Sequence, residues 1–142
     1  MRYSLQLLSA SLALAICSTA QAETPLTQSE YETAMRCIGT WEGAMNAIPV
    51  IYKDYPNKAY LDSALTNGAQ LKRVNEAIFM ATSQMRDSLD LAGGSREYSA
   101  GLMVVQSKKD NREAYVTAVE AHLRMPETCQ SAIKLVGQKL SR

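Results

Sequence analysis

Residues 60–92 read YLDSALTNGAQLKRVNEAIFMATSQMRDSLDLA and run into Gly93-Gly94. Within them Leu71, Val74, Ile78, Ala81, Met85 and Leu89 recur three and four residues apart, the spacing of one apolar stripe on an α-helix. Lys72, Arg73, Glu76, Arg86, Asp87 and Asp90 fall on the wetter sides. The spacing predicts one long helix ended by the two glycines, with Asn67-Gly68 as the point at which it would divide in two. A helix of this kind is stable only when its apolar face is covered. The rest of the chain is therefore expected to supply shorter helices that gather around it.

Upstream, Thr27-Gln28-Ser29-Glu30 has the form of a capping box. Tyr31, Ala34, Ile38, Trp41, Met45 and Ile48 follow at alternating intervals of three and four, the cleanest helical pattern in the chain. Cys37 falls at the edge of that apolar arc, facing the interior, whereas Gly39 and Gly43 fall on the opposite side beside Glu32 and Arg36. Pro49 stops or kinks this helix. The segment 50–60 (VIYKDYPNKAY) is the least regular, with Pro56-Asn57 marking a turn.

Beyond the glycine pair, a modest helix is expected over 96–108, with Tyr98, Leu102 and Val105 on one face. A cap at 110–113 opens another, carrying Tyr115, Val119 and His122, and Pro126 starts a last one. That helix aligns Cys129, Ile133, Val136 and Leu140, so Cys129 also faces inward. No segment alternates as a strand would. The expected fold class is all-α: a disulfide-tied helical bundle of four to six helices.

The first residues read as an export signal. Met1-Arg2 is followed by an apolar run from Leu5 to Ile16 and by Ala20-Gln21-Ala22, small at the positions a signal peptidase reads. Cleavage after Ala22 leaves residues 23–142 as a single helical domain, periplasmic or secreted. Cys17 follows Ile16, which excludes a lipid-attachment box. Arg2 is the only charge in the signal, so residues 23–142 carry 14 basic against 14 acidic side chains, without a basic block. Neither nucleic acid nor an anionic membrane surface is expected as a partner, and no second apolar run is long enough to span a bilayer. Cleavage leaves two cysteines, Cys37 and Cys129, an even number in an oxidising compartment and thus a disulfide.

Chemistry-bearing patterns are few. One histidine, His122, supplies no zinc set, and neither a Glu-x-x-His pair nor the Cys-x-x-Cys-His of covalent haem is present. Ser131-Ala132-Ile133-Lys134 matches Ser-x-x-Lys, but the companion motifs of those acyl enzymes are missing. No catalytic site, metal or cofactor is expected. Two features suit binding to another protein. Tyr52, Tyr55 and Tyr60 crowd the irregular segment, as contact surface or as a lid over the core. Gly39-x-x-x-Gly43 lets another backbone come close, from a partner or from the same chain.

Residues 37–47, CIGTWEGAMNA, carry Cys-x-Gly, an aromatic and a second Gly. This resembles the first-helix pattern of Rap/Tai-type immunity proteins of type VI secretion systems, although Thr40 stands where those proteins usually have an aromatic. The resemblance implies a small exported helical protein that binds and blocks a toxic enzyme in the periplasm. The expected function is protein–protein binding, with a toxin enzyme as partner. The alternatives are a small-ligand or haem carrier, with Met35 or Met45 opposite His122, and a periplasmic chaperone or secretion accessory.

Overall fold

The computed structural model describes residues 24–142, and the export signal expected at residues 1–22, with Cys17, lies outside them. Five α-helices follow one another: α1 (Gln28–Ile51), α2 (Lys58–Ser83), α3 (Leu91–Gln106), α4 (Arg112–Leu123) and α5 (Glu127–Leu140). A single 3₁₀ turn at Tyr52–Asp54 separates the first two. Among the described residues there is no strand, and the chain is an all-α bundle whose first and last helices are joined by the Cys37–Cys129 disulfide, with Cα atoms 5.4 Å apart.

α1 begins as its sequence predicts. The Thr27 hydroxyl accepts from the Glu30 amide at 3.2 Å, and the Glu30 carboxylate accepts from the Thr27 amide at 2.9 Å. Lys139, in the last turn of α5, donates to the same carboxylate at 2.8 Å and to the Pro25 carbonyl at 3.2 Å. This hydrogen bond from Lys139 holds the Glu30 carboxyl below its ordinary pKa and pins the end of α5 to the start of α1. Pro49 sits inside the last turn of α1, which ends two residues later at Ile51.

The centre of the bundle is α1, which corrects the expectation that the 60–92 run plays that part. α1 buries eleven residues and packs against all four other helices, whereas α2 buries five. The reason is its second face. Opposite the apolar stripe, Gly39 and Gly43 let α3 lie backbone against backbone. A Cβ on Gly39 would fall on the Tyr98 carbonyl oxygen, and one on Gly43 would come within 2.9 Å of the Leu102 carbonyl oxygen. Gly101 of α3 is seated reciprocally against the Arg36 carbonyl, where a Cβ would lie 2.7 Å from the Thr40 amide nitrogen. Tyr98 completes this contact, donating from its hydroxyl to the Glu42 carboxylate and meeting the Phe79 ring edge-on at 5.3 Å between centroids.

The two glycines of α1 are therefore occupied by α3 of the same chain. A sharp contrast follows. Gly101→Ala should lower stability by about 2–3 kcal/mol, the upper part of the range for overpacking, because the obstacle is backbone. Gly137→Ala, where an added Cβ meets nothing within 4 Å, should instead raise stability by up to about 1 kcal/mol, the helix-propensity difference. Urea unfolding of the two variants reads both signs.

The long helix also ends earlier than its stripe predicts. α2 stops at Ser83, and Met85 and Leu89 pack into the core from the turn over 84–90. Gly93-Gly94 open α3 instead of closing α2. Asp90 caps that helix, accepting from the Gly93 amide at 3.0 Å, and is clamped by Gln28, which accepts from the Asp90 amide at 2.8 Å. Glycine is needed here because the Tyr31 ring lies where a Gly94 Cβ would be. α3 thus starts at Leu91, not at residue 96. Asn67-Gly68 does not divide α2. Gly68 is the seat of Trp41 and Met45, with the Trp41 Cζ2 atom 3.1 Å from the Cβ position.

Candidate binding clefts around Trp41

Trp41 is only 4% exposed, yet three openings in the bundle meet at its ring. The largest, of about 640 Å³, lies between α2 and the corner joining α4 to α5. A second, of about 470 Å³, flanks the disulfide between α1, α3 and that same corner. The third, of about 360 Å³, separates α1 from α2 on the far side of Gly68. Met125 lines the first two along with Trp41, so these two side chains partition them.

The local sequence explains the position of Met125. It follows the end of α4 in the left-handed region, at φ 41°, with its amide donating to the His122 carbonyl at 3.2 Å. A non-glycine residue there is uncommon and costly. The Met125 side chain is buried, and its carbonyl accepts from the Gln130 side chain at 2.8 Å, which offsets that cost. Pro126 then forces the chain out into α5.

The 640 Å³ cleft is apolar at its base, where Trp41, Leu71, Val74, Leu123, Met125 and Ile133 meet. Its rim carries Ser63, Asn67 and Gln130 and two cations. Arg124 lies 5.5 Å from the centroid of the Tyr60 ring, and Lys134 has no ion-pair partner among the described residues. No carboxylate lines it. The 470 Å³ cavity is different in kind. Glu32, Thr33, Thr40 and the Arg36–Glu97 ion pair, at 3.0 Å, surround the disulfide and His122. Burial pushes the His122 pKa below its ordinary 6.5, so the imidazole is neutral near pH 7.

Of the residues named for a haem carrier, His122 lines the disulfide-side cavity, Met35 is buried in the core and Met45 lines the 360 Å³ opening. Among the described residues no group of three or more His, Cys, Asp or Glu side chains could hold a metal ion.

The tyrosines form a clasp, not a projecting loop. Tyr55 is 8% exposed, and its hydroxyl donates to Glu120 at 2.5 Å, which with burial pushes its pKa up to about 12. Its ring stands 6.4 Å from that of Tyr60, between centroids. Tyr52 donates to Asp62 at 2.9 Å and lies under Lys58. Tyr55 thus acts as a lid over the part of the core formed by Ile48, Ile51, Leu61 and Val119, the lid alternative for this residue and not open contact surface. Gly39 and Gly43 sit apart from the three tyrosines on the α3 contact.

No family model, curated protein or solved structure matches the chain.

Two features of this region had no sequence signal strong enough to find them. Arg124 and Lys134 look like solvated charges on short helices, and only the corner at Met125 turns them toward one cleft. Asn75 lies on the buried face of α2, in line with Leu61, Gly68 and Thr82, and among the described residues neither of its side-chain polar atoms has a hydrogen-bond partner. A buried amide in that condition costs about 1–3 kcal/mol. It weakens the hold of α2 on the bundle.

Proposed function

We propose that the chain is an exported protein that acts by binding another protein, in the manner of an immunity-type inhibitor, and that α2 is its contact surface. The observation that carries this reading is how thinly α2 is held. Of its 26 residues, Leu61 and Ile78 are the only large apolar side chains that are buried. Leu65 at 43%, Val74 at 41% and Met80 at 74% remain exposed along the same helix. Ordinary soluble helices scatter single apolar residues on the surface. Leu65 and Met80 lie within about 60° of each other around the helix axis, while Val74 faces the 640 Å³ cleft on the other side. Two such side chains on a helix whose buried face carries the unpaired Asn75 suit cover by a partner.

Two further facts are consistent with export. A disulfide persists in oxidising compartments and is rare in reducing ones. No described helix is long and apolar enough to cross a membrane. The motif that resembles Rap/Tai immunity proteins has structural uses here, since Cys37 is bridged, Trp41 is core, and Gly39 and Gly43 seat α3. The resemblance therefore supports a shared helical scaffold more directly than a shared contact face.

The test is capture from an envelope extract with residues 23–142 as bait. Leu65→Glu and Met80→Glu should each cut capture of the bound protein at least fivefold, with the melting temperature unchanged, because both side chains already face solvent. Tyr55→Ala should behave oppositely, melting earlier with capture reduced only in proportion. A captured enzyme whose activity is inhibited by the bait would identify the immunity role. Undiminished capture by both glutamate variants would remove α2 from the reading.

A further inference from the structure

We infer that the 640 Å³ cleft between α2 and the α4–α5 corner binds the anion of a single-chain fatty acid. This goes beyond the protein-binding reading and does not depend on it, since Leu65 and Met80 take no part in lining the cleft. Small-ligand sites are typically about 300–1,000 Å³, mostly apolar, with a few polar groups that fix orientation. The cleft has that size and composition.

Its length and apolar lining select the occupant. The lining residues of α2 run from Tyr60 to Val74, which at 1.5 Å per residue is about 21 Å of helix. One fluid acyl chain fills half of a bilayer's hydrocarbon core, about 15 Å, and so fits along this wall. α2 and α5 are in direct contact beside the cleft, so its helical walls converge and leave an apolar groove over Trp41 and Ile133 that an alkyl chain can follow.

Charge selects the headgroup. Arg124 and Lys134 stand at the rim, no lining side chain is acidic, and Lys134 has no ion-pair partner among the described residues. Arg124 already lies against the Tyr60 ring, so a neutral chain would leave Lys134 unused, and a cationic amphiphile would be repelled. A carboxylate takes up to two such donors while its alkyl chain lies over Trp41, Leu71 and Ile133.

Trp41 is the only tryptophan in the chain and forms the base of the cleft, so it reports occupancy directly. Palmitate, titrated below its micelle concentration into the disulfide-bonded protein, should change Trp41 emission saturably at one equivalent. Stearate carrying a nitroxide on its chain should quench that emission, and unlabelled palmitate should reverse the quenching. Hexadecanol should bind at least tenfold more weakly. Lys134→Gln should weaken palmitate about tenfold without moving the melting temperature or the weak binding of hexadecanol. Ala64→Phe, which fills the slot, should abolish binding. The inference is overturned by an absence of saturable change with palmitate, by equal affinity for palmitate and hexadecanol, or by undiminished binding in Lys134→Gln. It is equally overturned if an acidic amphipathic peptide perturbs Trp41 and palmitate does not. None of these outcomes bears on capture of a protein through Leu65 and Met80.

Discussion

Reducing the Cys37–Cys129 disulfide should cost the folded protein about 4–5 kcal/mol, the chain-entropy figure for a closure of this size and an upper bound where the unfolded chain retains structure. The two cysteines are 92 residues apart in sequence, so the bridge removes a large share of the freedom of the unfolded chain. Little else would replace it at α5. That helix buries Ile133 and Val136 and donates Lys139 to Glu30, and its remaining residues are partly or fully exposed. The expected result is a melting temperature lower by roughly 10 °C or more under reductant. Cys129→Ser should match it in the absence of reductant. Amide exchange should accelerate first along α5, while the α1–α3 contact, which uses no sulfur, stays protected. A melting curve indifferent to reductant would mean that the bridge is energetically idle.

Trp41→Ala should be the most damaging single truncation of a side chain, at about 3–4 kcal/mol. Removal of a large aromatic from a core costs roughly 3–5 kcal/mol, and the spread reflects how far the surroundings can collapse. Here they can collapse somewhat. Three openings already border the ring, and α2 rests on it at Gly68 with few other anchors. α2 should therefore settle inward and recover part of the loss, which puts the expectation at the lower end of the range. Urea unfolding gives the magnitude. The native emission should be blue-shifted, as the 4% exposure of Trp41 requires. Trp41→Phe should cost less than half as much, because a ring still supports Gly68. A loss below about 1 kcal/mol for Trp41→Ala would place the ring outside the core.

Much of this organisation was legible from residues alone. Intervals of three and four identify α1, because burial of one helical face repeats with the turn. Thr27 and Glu30 place its start, because a Ser or Thr followed three residues later by Glu satisfies two free amides at once. Two cysteines on inward faces, at opposite ends of the chain, sufficed for the bridge. Each of these is a local property or a pairing with one possible partner.

Glycine is where sequence reasoning met its limit. Gly93-Gly94 as a helix stop and Gly39-Gly43 as a close approach for a backbone from a partner or from the same chain are both sound local readings, and the structure uses all four inside helix contacts of this chain. A glycine states that something comes close or that the backbone turns. It does not state which, since the missing Cβ serves both. The choice was made by Tyr31, Tyr98 and Leu102, from other helices.

What the sequence by itself determined is the class: helices, their periodic faces, the first cap and the bridge, all set by interactions a few residues long or by simple elimination. Tertiary structure alone decided that α1 and not α2 is the centre, that Asn75 is buried unpaired, and that Arg124 and Lys134 share one apolar cleft over Trp41. The physical reason is that a stripe records only that a face must be covered. Which helix covers it depends on how closely two backbones can approach, and that depends on small residues paired across the contact, far apart in the chain.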